Sequence, residues 1–206
     1  MSYTARDALA SHTDPPPEPT RRPAPPGRFV TLVGWLLALW CLGFAVVNVV
    51  FELTGRFADG PLAAYAPGVT VMDWTVAGLK VLGAVVALLA VARRRMPVSP
   101  AALTVLVWGA FALLGVYALG NVVEAVGMAT GVAGSPDQIT VRNIAYVSFF
   151  LLGAAGYGVV AISYSLRAGF RRRYALLGAL GGPSVIALLL VAVPALLTWL
   201  GLLPTA

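Results

Sequence analysis

Residues Phe29 to Phe51 read FVTLVGWLLALWCLGFAVVNVVF, a run without one charged side chain. An α-helix rises about 1.5 Å per residue, so roughly 20 apolar residues cross the roughly 30 Å of hydrocarbon in a bilayer. This run is long enough. Further segments meet the same test, which places spans at about 29–52, 74–92, 99–124, 143–166 and 176–201. The expectation is an all-α membrane protein with five transmembrane helices in a bundle. Ser99 and Pro100 suit the N-cap and first turn of the third span. In the fifth, Gly181, Gly182 and Pro183 either kink one long helix or separate a short interfacial segment from a span beginning near Ser184, and Pro194 adds a further bend.

Composition agrees with that reading. Of the 206 residues, 59% are hydrophobic and 11% charged, against roughly 25% charged in an ordinary soluble domain. The mean hydropathy is +0.87. A net charge of +6 does not point to nucleic acid, because the basic residues sit in short clusters between apolar runs instead of along one polar face. Cys41 and His12 are each alone in the chain. No disulfide framework, no His/Cys metal centre and no histidine-based triad follows from them, and neither a metal nor a cofactor is expected.

Residues 1–28 form a Pro/Arg-rich tail with seven of the fifteen prolines. It is expected to be disordered, with polyproline II character, and to lie in the cytoplasm. Within it Pro16, Pro19 and Arg21 fit a PxxPxR pattern for a proline-reading domain, but a plain solvated tail is by far the stronger reading. A cleavable signal peptide is not expected, since the apolar run after the tail is too long for a signal core.

Arginine placement gives the orientation, because cytoplasmic flanks collect basic residues. Arg6, Arg21, Arg22 and Arg28 precede the first span, Arg93 to Arg95 follow the second, and Arg167 and Arg171 to Arg173 follow the fourth. Only Arg56 and Arg142 fall opposite. The N-terminus is therefore expected in the cytoplasm and the C-terminus outside. Trp74 and Trp199 then fall at the outer interface, and Tyr164 and Tyr174 at the inner one. The short link from Arg93 to Pro100 forces the second and third spans into an antiparallel hairpin. Small residues crowd the fourth span from Gly153 to Gly158, and Gly178 and Gly182 form a GxxxG, a pattern that serves close helix packing or, less often, dimerisation.

With this topology, the polar residues inside the spans gather toward one side. Asn48 and Glu52 are one turn apart at the outer end of the first span, and Asp73 and Lys80 share a face at the outer end of the second. Tyr117, Asn121 and Glu124 follow at i, i+4 and i+7 in the third span. Asn143 and Tyr146 lie just inside Arg142 in the fourth. At the helical rise, Lys80 is about 12 Å below the outer boundary, and Asn48 and Asn121 about 7 Å. Span two carries nine Val or Leu residues, worth roughly 3–5 kcal/mol of insertion, while a mid-span Lys costs roughly 2.5–3.5 kcal/mol. Lys80 should therefore face the bundle interior and pair with a carboxylate such as Glu124, Glu52 or Asp73.

These ten residues admit three readings. They lock the helices together, or they line an outward polar cleft for a small molecule, lipid headgroup or ion, or they catalyse a reaction on a membrane-embedded substrate. No nucleotide-binding glycine loop, GxSxG, HExxH or CxxC supports an enzyme. Binding or transport at the cell membrane leads, with the lipid bilayer as the one certain partner of such a chain. An accessory or scaffold subunit that docks a second copy or another membrane protein is the alternative. The layout, carried by LVGWLLALWCLGFAVVNVVFELTG at 32–55 and PSVIALLLVAVPALLTWLGLLP at 183–204, resembles small multi-span membrane proteins of actinobacteria. That resemblance implies a localisation and assigns no activity to any residue.

Overall fold

The computed structural model describes residues 23–55, 66–93, 98–169 and 172–201, and these are helical with no strand among them. The helices are α1 (Arg28–Leu53), α2 (Ala66–Val91), α3 (Pro100–Thr130), α4 (Val141–Arg167) and α5 (Arg172–Trp199), with a 3-10 turn at Pro136–Gln138 before α4. α1, α2 from Gly68 onward, α3 and α4 are each long and apolar enough to cross a membrane. The expectations for residues 1–22 of the tail with its PxxP pattern, and for Arg56, Arg94, Arg95 and Arg171, lie outside the described residues, whereas residues 23–27 lead without helix into α1 and Arg28 is its first residue.

Local chemistry explains the helix ends. Ser99 caps α3, its hydroxyl accepting from Ala102 N at 3.2 Å, with Pro100 in the first turn where its missing N–H is no loss. α3 runs on past Glu124 until Gly131, whose φ of 72° reverses the chain. There Val132 N donates to Gly127 O at 2.9 Å and Gly131 N to Met128 O at 3.2 Å, closing two end carbonyls. Thr140 caps α4 through Asn143 N. α2 begins at Ala66, ahead of the Trp74 suggested by hydropathy. Pro67 is compatible with a first helical turn, and Thr75 folds its hydroxyl back onto Val71 O at 2.7 Å instead of competing for the backbone. Asp73 consequently lies inside the helix. α5 is continuous through Gly181, Gly182 and Pro183.

The helices pack up and down. Gly34 near the start of α1 faces Val91 at the end of α2. Trp108 Nε1 in early α3 donates to Ser165 Oγ in late α4 at 2.8 Å. At the centre, Cys41 Sγ of α1 and Tyr157 OH of α4 are 3.3 Å apart beneath Gly83 of α2, and Tyr157 is 1% exposed. In hydrocarbon no hydrophobic force draws helices together, so such close approaches and interhelical hydrogen bonds carry the association. The outer surface holds exposed Leu32, Leu39, Leu152, Leu180 and Leu188, as lipid-facing positions require. α5 lies along α3, with Gly178 and Gly182 against the backbone of Val105 and Gly109. The GxxxG is thus engaged within the chain.

One arginine does more than mark topology. Arg167 closes α4 and donates from Nε to Ser163 O (3.2 Å), from Nη2 to Ala90 O in the last turn of α2 (2.9 Å) and from Nη1 to Ala24 O ahead of α1 (3.0 Å). Its guanidinium also lies 5.4 Å from the Tyr164 ring. Arg167→Gln should therefore lower unfolding stability by about 1.5–3 kcal/mol, the range for hydrogen bonds to a charged group. The exposed Arg173, which among the described residues bonds only its neighbour Tyr174, is the control. Equal stability of the two variants in detergent unfolding would show that the clamp contributes nothing.

Candidate functional site

The ten polar residues belong to the end of the bundle where α1 and α3 finish and α2 and α4 begin, but they do not converge on one point. They fall into three groups.

Between α1 and α2, the Glu52 and Asp73 carboxyl groups interact with each other. Glu52 Oε1 and Asp73 Oδ2 are buried without a hydrogen-bond partner. Asn48, one turn below Glu52, is 7% exposed. The helical i, i+4 spacing of Asn48 and Glu52 puts both on the face of α1 that meets α2.

Lys80 forms the second group, and its surroundings differ from expectation. Its Nζ lies 4.5 Å from the Trp40 ring centroid, 4.8 Å from Phe44 and 5.2 Å from Phe150. Among the described residues it makes no ion pair. The reason is geometric. Asp73 lies two turns away on the same helix, about 10 Å along the axis, whereas rings from α1 and α4 stand directly opposite. Negative ring faces supply the compensation, each worth about 0.5–2 kcal/mol, which together match the insertion cost of a mid-span Lys. Trp40, Phe44, Phe149 and Phe150 also pack ring against ring at centroid distances of 5.1–6.1 Å, with Phe150 edge-on to the other three.

Phe150 links this box to the third group. Its ring, 3% exposed, lies 4.7 Å from both Tyr117 and Tyr146, whose hydroxyls share a 2.6 Å hydrogen bond between α3 and α4. Beyond the tyrosines the two helices part around a cleft of about 500 Å³. Asn121 and Glu124 of α3 line it, as do Arg142, Asn143 and Tyr146 of α4, and Val126, Ile144 and Val147 supply apolar wall. Five of the ten predicted residues are brought together here.

Their states differ. Asn143 is committed to the α4 cap, its Oδ1 accepting from the Thr140 hydroxyl at 2.6 Å and its Nδ2 reaching Gln138 O at 3.4 Å. Asn121 Nδ2 donates to Tyr117 O at 2.7 Å, which leaves its carbonyl oxygen as an acceptor at the cleft. Glu124 and Arg142 are exposed and, among the described residues, neither forms an ion pair or hydrogen bond. An unneutralised anion and an unneutralised cation thus share one cleft. No three His, Cys, Asp or Glu side chains gather among the described residues.

Sequence reasoning missed the aromatic box and the Arg167 clamp. The box had a signal. Trp40, Phe44, Asn48 and Glu52 recur every four residues on α1, as do Tyr146 and Phe150 on α4, so each set marks one interior face. Arg167 had none, because two of its three carbonyl partners, Ala24 and Ala90, come from distant segments. The chain matches no protein-family model, no curated protein and no solved structure.

Proposed function

We propose that this chain is a five-span protein of the cell membrane, N-terminus in the cytoplasm and C-terminus outside, that binds or transports a small ligand at the outward cleft between α3 and α4. The cleft carries this reading, because it combines apolar wall with two opposite charges that have no partner of their own. Orientation is supported by the arginines: Arg28, Arg93, Arg167, Arg172 and Arg173 lie at one end, and Arg142 alone among the described residues at the other. α5 supports a fifth span through its 28 residues, about 42 Å of helix, with exposed Leu176, Leu180 and Leu188 along it. The GxxxG of α5 lends the scaffold alternative no support, since Gly178 and Gly182 face α3 of the same chain.

The test is labelling of a single cysteine at position 121, in a Cys41→Ser background, by a membrane-impermeant maleimide added to intact cells. Labelling at a rate within about tenfold of a cysteine at the 86%-exposed Val132 is expected of a wet, open cleft. Protection at 121 with Val132 still labelled would make the polar group a dry packing lock and end the binding reading. Labelling of neither position in intact cells, but of both after permeabilisation, would invert the orientation.

A further inference from the structure

The two free charges and their height in the bilayer narrow the ligand. α3 is 31 residues long, about 46 Å, against roughly 30 Å of hydrocarbon. Counting about 20 residues from Pro100 ends near Gly120, so Asn121 and Glu124 stand at headgroup level. Counting back about 20 residues from Arg167 ends near Val147, so Arg142 stands there too. The cleft therefore opens where phosphates and amines of one leaflet lie, with Ile144 and Val147 of α4 leading toward the chains.

We propose that the cleft holds the headgroup of a zwitterionic phospholipid with a primary ammonium, a phosphatidylethanolamine, its phosphate on the Arg142 guanidinium and its ammonium on Glu124 and the Asn121 carbonyl. This rests on the binding reading above and names the ligand class of that same site. Charge complementarity selects the class. An anionic lipid would satisfy Arg142 but offer Glu124 only a second negative charge or a neutral hydroxyl donor, weaker than an ammonium, and a cation alone would leave Arg142 unanswered. A planar guanidinium suits phosphate oxygens, reaching two at once, and the first turn of α4 beside Arg142 adds its positive end. A carboxylate and an amide oxygen accept N–H bonds, which a primary ammonium offers and a trimethylammonium does not; quaternary groups are better served by stacked rings. The aromatic box is not available for that purpose, because Lys80 fills it.

The full chain, purified in mild detergent, would be offered an equimolar mixture of phosphatidylethanolamine, phosphatidylglycerol and phosphatidylcholine with identical chains, and bound lipid read by native mass spectrometry. The wild type should retain phosphatidylethanolamine over phosphatidylglycerol by about tenfold, the value of one charge-assisted contact. Glu124→Gln should bring that ratio close to one. Arg142→Gln should lower retention of all three phospholipids together. Both side chains are exposed and, among the described residues, unbonded, so the variants should keep the helical content of the wild type, checked by circular dichroism. Equal retention in the wild type, or a ratio unmoved by Glu124→Gln, overturns the proposal. Displacement of the lipid by millimolar free phosphoethanolamine also overturns it, since the occupant would then be a soluble zwitterion. If position 121 labels while the lipids bind equally, the ligand class is wrong and the cleft stands; protection at 121 removes the cleft itself.

Discussion

Gly182→Ala is expected to lower stability by about 2–3 kcal/mol, near the upper end for overpacking, while Gly181→Ala next to it is expected to be neutral or slightly stabilising. The difference is one of direction. A Cβ on Gly182 would lie 2.5 Å from Gly109 O and 2.9 Å from Gly109 Cα, whereas one on Gly181 meets nothing within 4 Å. The obstacle at Gly182 is backbone of the facing helix, which has no rotamer to turn away, so α5 must lift off α3. A Cβ on Gly178 would meet Val105 O still more closely. At Gly181 alanine only adds helix propensity, about 1 kcal/mol in its favour. Reversible unfolding in mixed micelles, with α5 detachment followed by a fluorophore on its exposed face, checks the pair. Indistinguishable behaviour of the two variants would mean that α3 and α5 do not pack as described.

The second large effect is expected at Phe150. Phe150→Ala should cost about 3 kcal/mol, the low end for removing a buried aromatic. In lipid the transfer part of that penalty shrinks, because the alternative environment is itself apolar, and the lost contacts and the cavity remain. The ring touches both tyrosines, Trp40, Phe44 and Phe149, and stands over Lys80. Its removal therefore loosens the base of the cleft as well as the box. Lys80→Met, which keeps an unbranched side chain one atom shorter and drops the charge, should be neutral or stabilising alone, since the mid-span insertion cost disappears together with the ring contacts. The double variant should be more stable than the sum of the singles by about 0.5–2 kcal/mol, the coupling of ammonium and ring. Strict additivity across the four proteins would show that Lys80 and Phe150 do not interact.

How the site was and was not legible follows from the range of the forces concerned. The helix face shared by Tyr117, Asn121 and Glu124 is a local property, fixed by helical periodicity, and it was readable. Which helices stand opposite was not readable, and the partner of Lys80 turned on that alone. Electrostatics favours a carboxylate in the abstract, yet the lateral order of helices puts Trp40, Phe44 and Phe150 across from it and leaves Glu52 and Asp73 to each other. One expected cluster thereby became three groups.

By itself the sequence determined that this chain is helical, that at least four segments suit a bilayer, and that the basic residues mark one end of it. Those properties depend on residue type and spacing along a single helix, because every backbone group in hydrocarbon must be satisfied within its own segment. Only the tertiary structure decided that the GxxxG of α5 closes on Gly109, that Arg167 ties together three segments, and that Glu124 and Arg142 face a common cleft without neutralising each other. These are contacts between residues far apart in the chain. They are set by how small residues let particular helices approach, a choice that apolar spans of nearly equal hydropathy leave open until they pack.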